Sequence, residues 1–371
     1  MRILLLVSSM HAGGAERVAA TLVNAWAARG DTAVLAPTFS SKGVCFYPLD
    51  DAVHLDWLAD RAGTRSAGPF AAARRLAALR KLIREHAPDV VVSFLTNVNV
   101  AAILARWGLR VPLIVCERTN PVAAANGGRV WSLLRRLLYP RADMVTVQAQ
   151  ATVEPFARQV PGIRRLAVIP NPLPPELAEA PIAGIHASEG RCTLAAMGRL
   201  VPEKQFDQLI EAFAGAAAAH PGWDLRIWGE GPQRDALEAQ VRAAGLQDRV
   251  LLPGRTAAPW EELARAQAFV MSSRVEGFPN VLLEAMALGL PCAVYDCPSG
   301  PREITRDGQD ALLVPLDDRA ALGRAVQRLM GDASLRADLG ARAAASVRTR
   351  YALPAVLEEW DRLFDMVRGR P

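Results

Sequence analysis

The segment Ser272-Ser273-Arg274-Val275-Glu276-Gly277-Phe278-Pro279-Asn280-Val281-Leu282-Leu283-Glu284 joins an apolar run, 268–271, to a helical pattern. A short run without polar alternation is what a parallel strand buried on both faces requires. Glu276 then falls in the loop at the carboxyl end of a strand, and Glu284 in the first turns of the following helix. Backbone N–H groups around Phe278, Pro279, Asn280 and Val281 lie at a helix start, where they make an anion site. Two carboxylates beside such a site suit the vicinal hydroxyls of a sugar and of a ribose, because each accepts paired hydrogen bonds. Taken alone, the pair also fits a turn cap at Glu276 and a solvated helix residue at Glu284.

Upstream, Gly198-Arg199-Leu200-Val201-Pro202-Glu203-Lys204 follows the apolar run 193–197 and sets two cations at a strand end. Both can reach one phosphate group. A departing diphosphate needs its growing charge stabilised. The sequence offers no Asp-x-Asp triplet and no His or Cys cluster at ligand spacing, so neither a metal nor another cofactor is expected. Near the N-terminus, Gly13-Gly14-Ala15-Glu16 follows the run 3–7. Glycine lets the backbone approach a phosphate ahead of a helix. The glycines do not form G-x-G-x-x-G, and no acid follows the next strand, so they do not specify a dinucleotide.

Strand and helix alternate along the whole chain. Strands are read at 3–7, 33–36, 90–94, 113–116, 144–147 and 166–169, with helices between, including an Arg-rich one over 70–85. A second series has strands at 193–197, 225–228, 250–253, 268–271, 292–295 and 312–314. This is an α/β chain of two doubly wound Rossmann-like domains facing a cleft. Residues 1–172 form the first domain and 191–352 the second. The proline-rich stretch 173–190 reads as a stiff linker. The last helix, 353–371, has no strand after it and is expected to pack back on the first domain.

At 371 residues, with 51% hydrophobic and 22% charged residues, the composition is that of a globular protein. The five cysteines are scattered, which excludes a disulfide framework. No apolar stretch is long enough to span a bilayer, and the opening run ends too early for a signal peptide. The expected location is therefore cytoplasmic. Residues 1–180 carry 21 Lys/Arg against 13 Asp/Glu, and the excess is densest over 61–141, with 14 against 3. A one-sided basic surface points to an anionic partner. In 129–141, Trp131 and Tyr139 stand among Arg135, Arg136 and other arginines at helical spacing, as at a bilayer interface. A core-facing helix with solvated arginines is the other reading.

The three motifs, each at a strand end, together resemble those of the retaining glycosyltransferases of family 4, which have the B-type two-domain fold. The resemblance extends to Ile169-Pro170-Asn171-Pro172, Trp228-Gly229-Glu230-Gly231-Pro232, Pro253-Gly254-Arg255 and Gly300-Pro301-Arg302-Glu303-Ile304, and so covers nearly the whole chain. It implies that Arg199 and Lys204 grip the donor diphosphate, Glu276 the donor sugar and Glu284 the ribose. It also implies that Gly13 and Gly14 close over the donor and that Gly254 and Arg255 lie near the base. The chain further looks like members that extend lipid-linked oligosaccharides. That implies a UDP-hexose or UDP-N-acetylhexosamine donor and a polyprenyl-diphosphate glycan acceptor at the inner face of the cytoplasmic membrane, with no nucleic acid partner. Many members carry a histidine after the strand that here ends at Cys116. This chain has Glu117-Arg118-Thr119-Asn120, and Glu117, Arg118 and Asn120 are expected to position acceptor or sugar. A nucleotide-sugar epimerase and a catalytically dead nucleotide-sugar binder are the alternatives.

Overall fold

The computed structural model describes residues 1–40, 45–63, 68–120, 128–182 and 190–369. Seven strands form a first sheet: β1 (Arg2–Val7), β2 (Thr32–Pro37), β3 (His54–Leu55), β4 (Val90–Phe94), β5 (Leu113–Cys116), β6 (Met144–Val147) and β7 (Leu166–Val168). Their order is β3-β2-β1-β4-β5-β6-β7, and every pairing is parallel. Six strands form a second sheet: β8 (Cys192–Met197), β9 (Trp223–Trp228), β10 (Val250–Gly254), β11 (Ala268–Met271), β12 (Cys292–Tyr295) and β13 (Leu312–Val314). It is again all parallel, in the order β10-β9-β8-β11-β12-β13.

Each apolar run read as a strand is one. The sequence gives no sign of β3, whose two residues pair with Val34 and Leu35 at the sheet edge and are too few to show a period. The central strands β4, β5 and β6 are buried at every position, as expected when helices cover both faces. The Gly14–Ala28 helix shows how one cover is built. Val18, Leu22 and Trp26 recur at four-residue spacing on its buried side. Gly30, at φ 92°, takes the left-handed position that ends it.

The chain divides into two compact units, one of Met1–Pro172 with Pro354–Pro371 and the other of Leu173–Leu353. In the first unit, Trp360 of the Leu353–Arg368 helix meets Trp26 edge-on at 5.8 Å, and Phe364 lies 5.6 Å from the same ring. Arg29 holds Asp361 with two N–H groups at 2.7 and 2.8 Å. In the second unit, Leu173 and Leu177 are buried in the apolar core, and Leu173 N donates to Tyr351 O at 2.7 Å. The proline-rich stretch is thus docked where it begins, rather than running as a free spacer. Residues 183–189 lie outside the described residues.

Both sheets reverse their strand order beside their first strand, at β1/β4 and at β8/β11. In open α/β sheets, ligands bind outside the carboxyl ends of the strands at such a switch point.

Candidate functional site

The two strongest motifs of the second unit leave the carboxyl ends of β8 and β11, the pair at its switch point. Backbone and side-chain bonds tie the two loops together. Arg274 N donates to Glu203 O at 2.8 Å, and Ser272 Oγ to Lys204 O at 2.8 Å. Lys204 Nζ consequently reaches Glu276 Oε1 at 2.5 Å, with both side chains largely shielded. Arg199, on the same loop, is exposed.

Three glycine segments form one layer behind these loops. Gly229, at φ 145°, sits so close to Gly198 that a Cβ would lie 1.8 Å from the Gly198 carbonyl oxygen. A Cβ on Gly231 would lie 2.3 Å from the carbonyl of Leu200. Gly229 N donates to Gly254 O at 2.8 Å, and Gly198 N to Trp228 O at 3.0 Å. The stretches 198–204, 228–232 and 253–255, far apart in sequence, are therefore one surface at the ends of β8, β9 and β10. Gly254 faces the Glu230 carboxylate, which pairs with Arg234 at 2.8 Å, while Arg255 is exposed.

The loop before the Asn280–Ala287 helix is supported from behind. Phe278 is buried and meets Tyr351 edge-on at 5.4 Å. Ser299 Oγ donates to Gly277 O at 2.6 Å, and Gly300, at φ 93°, leaves room for Pro279. Pro279 is the N-cap, so the helix start at Asn280 and Val281 directs its first N–H groups out of the strand end. Glu284 is 2% exposed and accepts from Trp260 Nε1 at 3.1 Å. That burial excludes a solvated helix residue. Nothing in the spacing announced Trp260, which sits 24 positions earlier on the Pro259–Ala264 helix. Cys297 is buried, and burial pushes its thiol up to about 12.

In the first unit, Gly13 is the N-cap of the Gly14–Ala28 helix, with extended backbone that any residue adopts. Closeness is what requires glycine: a Cβ would lie 2.2 Å from Oε2 of Glu16. Glu16 also accepts from Ser9 Oγ at 2.9 Å. Its own carboxylate therefore stands at the helix start, where the sequence suggests a phosphate, and a phosphate there must displace it. His11 is exposed beside this turn.

The segment after β5 corrects one expectation. Glu117 is tied to side chains of its own unit rather than held open at the strand end. It is 2% exposed and points inward, accepting from Tyr139 Oη and, at 3.0 Å, from Thr96 Oγ1. Tyr139 Oη in turn accepts from Asn99 Nδ2 at 3.0 Å, and Asn99 also donates to Cys116 O. Burial raises the Glu117 carboxyl above its ordinary range, against the Tyr139 hydrogen bond and the charge of Arg135. Burial also raises the Tyr139 hydroxyl. Glu117 is thus a buried tie between β5 and the Tyr139 turn.

Arg118 is buried as well, over Phe94 with its guanidinium carbon 3.7 Å from the ring centre and 5.9 Å from that of Trp360. Its Nη1 donates to Asn171 Oδ1 at 2.8 Å, which also accepts from Gln148 Nε2 at 2.7 Å. Nε and Nη2 have no hydrogen-bond partner of good geometry among the described residues, although the Cys116 thiol is in electrostatic reach. Burial lowers this group to about 10, so it stays cationic near neutral pH. Asn120 is buried beside it.

The Gly128–Leu138 helix corrects a second expectation. Arg135 is 4% exposed and turned toward Glu117, so it cannot touch a membrane. Arg136 is exposed, Trp131 is half-buried against the core, and Val130, Leu133 and Leu137 are exposed on an apolar stripe. Nearby, Arg106, Trp107, Leu109 and Arg141 line a cavity of about 210 Å³, with Arg141 stacked 5.4 Å over the Trp107 ring.

The histidines add a feature that the linear spacing does not show. His54, Asp56 and His86 come together, with one ligand-type atom from each lying within 4.8 Å of the others. Linear spacing hides the cluster because His86 joins from the end of a helix.

Comparison with known proteins matches residues 13–172 to the family profile "Glycosyl transferase 4-like domain" and residues 182–346 to "Glycosyl transferases group 1". An exopolysaccharide phosphotransferase of Streptomyces coelicolor is 32% identical over 96% of this chain, which spans 40% of that relative's length. An α-1,4-N-acetyl-D-galactosaminyltransferase of Campylobacter jejuni, named for an undecaprenyl-diphosphate-linked acceptor, is 27% identical over 100% of this chain and 99% of its own. Among solved structures, Anabaena HepE in complex with UDP-glucose superposes with a TM-score of 0.80 at 18% identity, covering 98% of this chain and 100% of that one.

Proposed function

The chain belongs to the B-type glycosyltransferases of family 4, its two matched domains accounting for most of its length, and from that premise we propose that it moves a hexose or N-acetylhexosamine from a nucleoside diphosphate, UDP by preference, to a hydroxyl of a lipid-linked oligosaccharide. The observation that carries this reading is the Lys204–Glu276 pair at the β8/β11 switch point, with the buried Glu284 on the helix that leaves the same loop. Arg199 and Lys204 take the diphosphate, Glu276 the sugar hydroxyls and Glu284 the ribose. The glycine layer lets the backbone lie close to the ligand.

Transfer keeps the anomeric configuration. The bond from C1 to the phosphate oxygen breaks with its electron pair on the diphosphate, and the acceptor oxygen attacks from the same face. The acceptor proton passes to the leaving phosphate oxygen. The two cations stabilise the charge that grows there, so no metal is required. The relative named for a polyprenyl-linked acceptor supports a lipid-linked substrate, and the HepE complex supports a UDP-sugar.

Among the described residues, no helix is long and apolar enough to cross a membrane. Attachment at the surface rests on the stripe of Val130, Leu133 and Leu137 with Arg136, beside the cavity of Arg106, Trp107 and Arg141. Apolar side chains flanked by arginines suit an anionic lipid surface.

The test is nucleotide release from UDP-hexoses and UDP-N-acetylhexosamines, with and without a polyprenyl-diphosphate glycan, in EDTA and in Mg²⁺. Release that needs acceptor and survives EDTA is expected. An altered sugar without acceptor would instead indicate an epimerase, and binding without release would indicate a dead site.

A further inference from the structure

We propose that His54, Asp56 and His86 form a site for one divalent transition-metal ion of the zinc type, within the first unit and outside the transfer chemistry. His54 and Asp56 are two apart at the edge strand β3, so their side chains leave the same face. His86 ends the Pro69–His86 helix, where Ala87 at φ 40° turns the chain away. His86 Nε2 lies 3.0 Å from Asp56 Oδ2, and His54 Nε2 lies 4.0 Å from the same oxygen.

Bonds of about 2.0–2.2 Å from zinc to imidazole nitrogen and carboxylate oxygen put neighbouring ligands roughly 3.0–3.5 Å apart. The His86–Asp56 edge already has that length. The His54 side chain is 60% exposed and can swing the short remaining distance.

Asp56 is set up as a ligand by what holds it. Its backbone N–H donates to Leu35 O at 2.9 Å. Arg61 grips both carboxylate oxygens at 2.5 Å and is itself held by Glu85. A carboxylate oxygen has two in-plane lone pairs. Arg61 takes one of those on Oδ2, and the other points at His86. An ion there replaces only the His86–Asp56 hydrogen bond, while Arg61 remains behind the carboxylate, as outer-shell partners of metal ligands do. Glu85 offsets the charge of Arg61. Two imidazoles and one carboxylate favour zinc, cobalt or nickel over magnesium and calcium, which prefer oxygen. Such an ion would clip a two-residue edge strand to the end of a helix 30 positions later, which stiffens the weakest border of the sheet.

The experiment is calorimetric titration of the tag-free full chain with Zn²⁺, repeated with Co²⁺ and read by its visible absorption, and with Mg²⁺ as control. Saturation at one Zn²⁺ or Co²⁺ per chain is expected, with no Mg²⁺ binding at this site. His86→Ala and His54→Gln should each lower affinity at least about tenfold, while nucleotide release by the transfer reaction stays unchanged. Should His86→Ala fail to fold, the exposed His54 position decides. Absence of saturable binding, or wild-type affinity in a folded variant, overturns the site. Neither result bears on whether the chain is a transferase.

Discussion

Lys204 Nζ lies 2.5 Å from Glu276 Oε1, so the cation proposed to face the leaving diphosphate is held by the carboxylate proposed to hold the sugar. The pair fixes each group before ligand arrives, at the junction of the β8 and β11 loops. Preorganised charge of this kind acts mainly where charge develops in the transition state. Lys204→Ala should therefore lower kcat more than it raises KM for the donor, with roughly 2–4 kcal/mol added to the barrier. Arg199→Ala should act in the same direction. Wild-type turnover in either variant would remove these cations from the reaction.

Trp260→Phe keeps an aromatic side chain, though a smaller one, and removes the indole N–H that reaches Glu284 at 3.1 Å. Leaving a buried acceptor without its donor costs about 1–3 kcal/mol. Donor affinity should fall by at least about tenfold, with kcat much less affected, if Glu284 must be aimed at the ribose. Unaltered nucleotide affinity in a thermal-shift titration would show that Trp260 only packs.

The folded value of the Glu117 carboxyl is raised by burial. In the unfolded chain a glutamate titrates near about 4.3. The stability linked to this proton is complete below the unfolded value and is lost as pH rises through the folded value. Glu117→Gln keeps an acceptor for Tyr139 and Thr96 but carries no charge. Compared with wild type, the variant should gain stability as pH rises above the unfolded value of about 4.3. Urea midpoints that run parallel in the two proteins across that range would contradict the assignment.

On the Gly128–Leu138 helix, two neighbouring arginines should behave in opposite ways. Arg136→Glu should weaken binding to anionic vesicles by about 2 kcal/mol, at about 1 kcal/mol for each charge unit near the surface, and salt should diminish the difference. Arg135→Glu places a like charge near buried Glu117 and should destabilise the fold instead. Vesicle binding by Arg136→Glu that matches wild type at low salt would assign the apolar stripe to another partner.

Trp360→Ala should cost about 3–5 kcal/mol, the usual range for emptying a buried aromatic site. Hydrogen exchange should localise the loss: protection should fall in Gly14–Ala28, which carries Trp26, and persist in Phe206–Ala217 of the second unit. Equal loss in both helices would mean that Trp360 acts on the chain as a whole.

The strands were legible because parallel strands buried on both faces are written as unbroken apolar runs, of which Leu4-Leu5-Leu6-Val7 and Val90-Val91-Val92 are plain cases. β3 was not, since a two-residue edge strand has no period. The loops carrying Lys204 and Glu276 could be read because glycine and charge are concentrated at strand ends. Side-chain direction could not. Nothing distinguishes Arg135 from Arg136 in composition, yet a step of about 100° around the helix buries the first and exposes the second. Glu117 looked like a site residue because it adjoins a strand end, and only the Tyr139 hydroxyl shows that it points inward. His86 and Trp260 join their partners through tertiary contacts that no local spacing records.

The first unit is assembled from both ends of the chain, whereas the second is continuous. During synthesis, residues 1–172 emerge first but lack the helix whose Trp360 and Phe364 cover Trp26. Until residues 354–368 follow, that aromatic surface and the ring that flanks Arg118 are missing, while Leu173–Leu353 is one continuous compact unit. The later-made unit can therefore finish folding before the earlier one. A nascent chain stalled after residue 353 should hold a protease-resistant second unit beside an unfinished first, a state in which exposed Trp26 invites chaperones or aggregation.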